Sequence, residues 1–307
     1  MYIFDLHCDL LNNFYKNPNY DFLLNNGHIS EVGLNLGGYL AQCFAIYLPP
    51  EVPKNNSYFF FKTQYNLFCK IIKKSRTLRQ AKTKQDILKN AQNGKISAIL
   101  TAENADFLGG DIKKLKIAEN LGVKILGLIW NNENCLGYPN STIKNINNLP
   151  LKNFGCAVID YLNHSTITPD VSHLNYGGFN SVANILKKPF IATHSACNEI
   201  FPHPRNLTDE QIKKIANSGG VVGINFYSKF LNGTNTTTID DIIMHLKHLI
   251  KTGGQDVAAL GSDFDGIDCN LFLKNCSQMP ILADALIKNF GTLLAEKICF
   301  KNALRVL

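Results

Sequence analysis

The chain has 307 residues, 45% hydrophobic and 18% charged, a balance that excludes a disordered segment and gives a globular protein with a sizeable core. The formal charge is +7, but the basic pairs Lys73-Lys74, Lys113-Lys114, Lys187-Lys188 and Lys213-Lys214 are scattered over helically patterned stretches. They read as solvated helix faces rather than the concentrated basic stripe of a nucleic-acid binder.

No apolar run reaches transmembrane length, and the start, MYIFDLHCDL, carries no basic-then-apolar leader. The nine cysteines are dispersed without a C-x-x-C, and several lie inside apolar runs as small core residues. A reducing cytoplasm is the expected location, with no membrane and no nucleic-acid partner.

Short β-rich runs follow one another at 2–7, 40–48, 97–103, 124–130, 169–174, 189–195, 220–227 and 257–264. Helical patterns fall between them at 56–75, 110–122, 178–188, 238–254 and 280–291. In LTDEQIKKIANSGG, Thr208 is a helix start with an acidic first turn, and Gly219-Gly220 is its stop. Eight βα units without a linker predict one domain over 1–307, an α/β protein folded as a (β/α)8 TIM barrel. The competing doubly wound sheet lacks its G-x-G-x-x-G after the first strand, where His-Cys-Asp stands instead.

In such a barrel the active site gathers at the carboxyl ends of the strands. His7 and Asp9 close the first run, Glu103 the third, His173 the fifth, His194 the sixth and Asp263 the eighth. His7 and Asp9 alternate and so face one side, with Cys8 turned away. Singly, each has an ordinary explanation as a hydrogen-bonded core histidine or a turn aspartate. Together they are imidazoles and carboxylates aimed at one place, which suits divalent ions of the zinc type. The ligand count favours two metals bridged by a carboxylate, with Glu103 as the bridge.

Six motifs carry a resemblance. They are H-x-D at His7–Asp9, T-x-E-N at Thr101–Asn104, D-V-S-H at Asp170–His173, T-H-S at Thr193–Ser195, P-R-N at Pro204–Asn206 and G-S-D-F-D-G at Gly261–Gly266. In this order, with KNALRVL closing the chain, they resemble the membrane (renal) dipeptidase family of zinc peptidases, in its soluble microbial branch. The resemblance implies a metal-dependent hydrolase barrel holding two Zn ions, though the same ligands also take other divalent metals. It implies that His7 and Asp9 hold one zinc, that His173 and His194 hold the other, and that Glu103 bridges them. It further implies that Arg205 pairs with the substrate's terminal carboxylate and that Asp263 handles protons beside a metal-bridging hydroxide. The expected substrate is a small dipeptide, including one with a D-residue on its carboxyl side, and a homodimer is expected from the family.

One departure stands out. Where mammalian members carry a histidine on the fourth strand, this chain reads LGLIWNNENCLG, which puts Trp130 or Asn131 near the substrate. Tyr227 is a further candidate contact after the seventh strand, and His203 is a minor one beside Arg205. His28, His164, His245 and His248 read as surface or helix-face residues. The same rim also suits a metal-dependent hydrolase of another small amide, lactone or ester, or a barrel that binds peptides without cleaving them.

Overall fold

The structure is a computed structural model that describes residues 1–17 and 19–307. Its strands are β1 (Ile3–Asp5), β2 (Tyr39–Tyr47), β3 (Leu78–Gln80), β4 (Ile96–Glu103), β5 (Val123–Gly127), β6 (Thr168–Asp170), β7 (Ala192–Ser195), β8 (Val222–Ile224), β9 (Thr236–Thr237), β10 (Ala258–Leu260) and β11 (Asn270–Leu271). The main sheet is parallel and runs β6-β5-β4-β2-β1-β10-β8-β7, with β3 added beside β4. Its two ends meet. Asp170 and Ile191 form a single parallel bridge, with Val171 N–H donating to Ile191 O (2.8 Å) and Ile191 N–H to Pro169 O (3.0 Å). The TIM-barrel-type wall is thus closed at its last seam by one bridge rather than by a ladder.

Each of the eight β-rich runs overlaps one strand of this path, but most of the strands stop short of the predicted ends. The chain leaves β1, β6, β8 and β10 two to four residues earlier, so His7, His173, Tyr227 and Asp263 sit on turns above the strands rather than at their last positions. The flanking β3 and the small β9–β11 pair have no counterpart among the eight predicted runs, because they are short and lie in largely polar stretches rather than in apolar runs.

Alternation along the strands separates two apolar clusters. Ile99 packs with Phe4, Cys43, Ile125, Ile191 and Ala259, while its neighbours Ala98 and Leu100 join the larger cluster that includes Phe61, Phe68 and Leu115 from the helices. Helix ends follow local chemistry. Thr208 accepts from Gln211 N–H while the Gln211 side chain accepts back, and Thr238 with Asp241 repeats this capping box. Gly122, at φ 98°, ends the helix Ile112–Leu121 in the left-handed region that glycine enters without strain.

One predicted surface residue is in the core. His245 is fully buried, its Nδ1 accepting from Cys197 N–H (3.0 Å) and its Nε2 donating to Leu231 O (2.9 Å). It faces inward because both ring nitrogens find backbone partners there, which a helical pattern cannot reveal.

Candidate metal centre

Six polar side chains from β1, β4, β6, β7 and β10, or from the turns just above them, meet over the barrel mouth. His7 Nε2 lies 3.4 Å from Asp9 Oδ2, 3.6 Å from Glu103 Oε2 and 3.8 Å from Asp263 Oδ1. Across from it, His173 Nε2 and His194 Nε2 are 3.0 Å apart and lie 3.1 and 3.4 Å from Glu103 Oε1. The two oxygens of Glu103 therefore face different groups. Three clusters have the donor atoms and spacing to hold a metal ion: His7, Asp9 and Glu103; Glu103, His173 and His194; and His7, His194 and Asp263.

The same backbone device anchors both sides. Asp5 lies opposite Leu260 in the β1–β10 pairing, and Asp170 lies opposite Ile191 at the β6–β7 seam. Asp5 Oδ1 accepts from His7 N–H (3.3 Å) and Ser262 N–H (2.9 Å), and its Oδ2 accepts from the Ser262 hydroxyl (2.5 Å). Asp170 Oδ1 accepts from Ser172 N–H (2.9 Å) and Thr193 N–H (3.0 Å), and its Oδ2 accepts from the Thr193 hydroxyl (2.6 Å). In each case a buried carboxylate ties its own following turn to the hydroxyl residue two places beyond its pairing partner. These bonds hold His173 (φ 67°) and Asp263 (φ 62°) in the left-handed region, where non-glycine residues are strained. Gly266 is required at its place, because a Cβ there would lie 2.2 Å from Asp9 Oδ2 and 2.6 Å from Asp263 Oδ1.

The hydrogen bonds assign tautomers. Because the Thr193 hydroxyl donates to Asp170, its oxygen is an acceptor for His194 Nδ1–H (2.8 Å). His173 Nδ1–H donates to Asn131 Oδ1 (2.9 Å), the amide oxygen being the acceptor. Both rings then present an Nε2 lone pair, and the two lone pairs face each other at 3.0 Å. Neither can donate to the other, so the arrangement suits a shared cation. His7 Nε2 and Asp9 Oδ1 are also buried without a hydrogen-bond partner.

The electrostatics agree. Burial drives Glu103 well above the ordinary carboxylate range, and the Asp9 and Asp263 carboxylates add to this. Burial likewise raises Asp263 to about 6. Burial alone would lower His7, but Glu103, Asp9 and Asp263 outweigh it and hold the imidazole at about 10. His173 and His194 are pushed well down, by burial first and then by Arg205 and His7. One side of the site demands positive charge and the other presents neutral imidazoles, which is the donor set a divalent metal needs.

A cavity of about 230 Å3 opens over these groups, walled by Trp130, Asn131 and Tyr227 among others. Arg205 is buried beside it rather than in its wall. It lines a smaller cavity of about 120 Å3 that shares His173, with its Nη2 donating to His194 O (3.2 Å), its guanidinium over the Phe230 ring, and its Nε without a partner. Burial lowers its pKa to about 10, against the pull of Asp263 and Glu103. Asn131, expected as a substrate contact, spends its amide oxygen on His173. Trp130 packs edge-on against Tyr47, their ring centroids 4.9 Å apart. Asp5, Ser262 and Asn225, whose amide donates to Asp263 Oδ2 (2.9 Å), were missed in the sequence. For Asp5 a signal existed, because an aspartate precedes the histidine by two residues in D-L-H and by three in D-V-S-H.

Comparison with known proteins places the chain in a family. The profile of the membrane dipeptidase family, peptidase family M19, matches residues 1–307. An uncharacterized Klebsiella pneumoniae protein from the pqqA 5' region is 33% identical over 241 residues, 75% of this chain and 88% of its own length. An uncharacterized dipeptidase of Schizosaccharomyces pombe is 32% identical over 222 residues, 70% of this chain and 53% of its own length. Among solved structures, an M19 metallopeptidase, dipeptidase AC, superposes with a TM-score of 0.93 at 26% identity, covering 100% of this chain and 97% of its own. A Rhodobacter sphaeroides metallopeptidase liganded with a phosphinate mimic of the dipeptide L-Ala-D-Ala gives 0.92 at 25% identity, covering 100% and 98%. The chain belongs to the membrane dipeptidase family and is a metal-dependent dipeptidase.

Proposed function

We propose that the protein is a binuclear zinc dipeptidase acting on small dipeptides, L-D dipeptides included. The observation that carries the two-metal reading is the pair of Nε2 lone pairs of His173 and His194 turned on each other at 3.0 Å, with Glu103 reaching from them to His7. In this reading His7 and Asp9 would hold one zinc, His173 and His194 would hold the other, and Glu103, common to both groups, would join them. When bound, the zinc pair supplies Lewis acidity, acidifying water and polarising a scissile carbonyl.

The chain's own residues do the rest. Asp263 has its Oδ2 engaged by Asn225, so Oδ1 is the atom that takes a proton from the attacking water as the water oxygen bonds the scissile carbonyl carbon, and returns it to the amine nitrogen as the C–N bond breaks. Its raised pKa, about 6, suits that exchange near neutral pH. Arg205 offers its unpartnered Nε, with the rest of its fork, to the substrate's terminal carboxylate, and so measures substrate length. Trp130 and Tyr227 wall the cavity, and Asn131 keeps the His173 ring turned for binding. The inclusion of L-D dipeptides draws its support from the L-Ala-D-Ala mimic bound by the Rhodobacter sphaeroides relative.

Elemental analysis on the sample used to assay a panel of L-L and L-D dipeptides tests this reading. Zinc near two per chain together with dipeptide turnover is the expected result. Turnover with a single metal overturns the binuclear part. Full metal without dipeptide turnover overturns the substrate class. The Arg205→Ala variant should raise KM for dipeptides far more than it lowers kcat.

A further inference from the structure

Beside the metal cavity lies a larger groove of about 510 Å3. The two share three lining residues, Asn12, Lys16 and Tyr47, so the groove adjoins the site. Beyond Tyr47 the lining turns apolar, with Pro49, Val52, Phe60, Tyr15 and Phe59. Tyr15 and Phe60 stack edge to face at 4.8 Å, yet Tyr15 remains 49% and Phe59 73% exposed. Aromatic rings left open to water along a cleft gain from being covered. The charged lining residues, Lys16 and Glu51, have opposite signs, so the groove offers no net charge to a charged visitor.

The topology gives the groove a direction. Around the sheet, β2 stands four places from β7 and β1 stands four places from β6. Tyr47 ends β2 and Asn12 follows β1, whereas His194 lies in β7 and His173 follows β6, where Arg205 is seated. The groove and Arg205 therefore lie on opposite sides of the barrel mouth. A dipeptide with its carboxylate toward Arg205 points its first residue at the groove.

We propose that this groove receives the side chain of the substrate's amino-terminal residue, so that the enzyme selects dipeptides whose first residue is aromatic or long and apolar. The proposal rests on the dipeptidase reading above with Arg205 on the carboxylate. Tyr15 and Phe59 are its specificity-determining residues, and Tyr47 is the wall past which the side chain turns.

The test compares kcat/KM of the zinc-loaded protein for the series L-X-D-Ala and L-Ala-D-X, with X being Ala, Leu, Phe or Trp. The first series should rise about 10- to 100-fold from Ala to Phe, as expected for burying an aromatic ring, while the second stays flat within about threefold. The double variant Tyr15→Ala/Phe59→Ala should cut the Phe-to-Ala ratio of the first series about tenfold. Affinities for the phosphinate mimics of L-Phe-D-Ala and L-Ala-D-Ala, read from the fluorescence of Trp130 beside Tyr47, should show the same ratio without turnover. A flat first series, a steep second series, or an unchanged ratio in the double variant overturns the groove while leaving the dipeptidase intact. Absence of both turnover and mimic binding across all members overturns the dipeptidase reading, and the groove with it.

Discussion

The two sides of the metal rim are built alike and charged differently. On one side Asp5 and Ser262 pin the turns that carry His7 and Asp263; on the other Asp170 and Thr193 pin the turn that carries His173 and the strand that carries His194. The hydrogen-bond pattern and the pairing register are the same. Yet the first side gathers Asp9 and Asp263 around one imidazole, whereas on the second Asp170 is spent on Ser172 and Thr193 and the two imidazoles near Arg205 meet only the shared Glu103. A shared backbone device thus sets ligand position, while the side chains mounted on it set the charge. Glu103 is the carboxylate that touches both sides, one oxygen facing His7 and the other facing His173 and His194, which makes it the most sensitive point of the site.

Breaking that link should have the largest effect. Glu103→Gln keeps the shape but removes the charge both halves share, and kcat/KM should fall by about 1,000-fold or more, roughly 4 kcal/mol of transition-state stabilisation. Steady-state kinetics with metal analysis would check it.

The charge difference should also appear in the pH dependence of the chelator-stripped protein. Burial raises Asp263 and Asp265 from 3.8 to about 6. Both bind a proton more tightly folded than unfolded, so the stability they contribute is full below about 3.8 and is lost as pH rises through about 6. For a buried group this amounts to at most about 3 kcal/mol. Because His173 and His194, held well below 6.5, contribute in the opposite direction over the same window, the Tm of stripped Asp265→Asn relative to the stripped parent is the quantity to follow: it should rise from about pH 4.5 to 7, and a relative Tm that falls contradicts the assignment.

The shared device can be tested by breaking each copy. Asp5→Asn and Asp170→Asn each replace one acceptor oxygen by an amide that cannot accept from the facing hydroxyl. Metal affinity should drop about 10- to 100-fold, as for other partners that orient metal ligands. Chelator competition should show a different one of two binding steps weakened in each variant. Asn131→Ala frees only His173 Nδ1, and the loss should stay near the lower end, about tenfold.

The smallest effect lies away from the rim. Burial would raise Glu119, but hydrogen bonds from Thr166, Ser165 and Tyr161 outweigh it and lower the carboxyl to about 2. Its contribution is present above the ordinary value of 4.5 and is lost as pH falls toward about 2, opposite in sign to the rim acids. Glu119→Gln should slightly lower Tm at neutral pH and make acid unfolding less steep, as calorimetry across pH 2 to 5 would show.

Much of this was legible in the sequence. Thr208 and Thr238 announce their helices with capping boxes, and the helix predicted at 238–254 runs Ile239–Gly253. The eight β-rich runs and the polar residues at their ends located the rim, because barrel strands must place their carboxyl ends together. Asp5 escaped notice because its role depends on Ser262, 257 residues away. That Asn131, which walls the cavity, also meets His173 is not legible locally, because His173 bends back to it through a left-handed backbone. His245 was misread because helix periodicity cannot reveal that Cys197 N–H and Leu231 O wait on its buried face.

By itself the sequence determined which residue types stand at the strand ends, and with them the family and the metal-dependent chemistry, because ligand identity and strand order are covalent facts. Only the tertiary structure decided how those groups face one another. It turned two Nε2 lone pairs together, placed Arg205 in a cavity next to the metal's rather than within it, and opened an aromatic groove on the opposite side. Those outcomes depend on long-range hydrogen bonds and on closure of the sheet between Asp170 and Ile191, whose energies exist only once distant segments are packed.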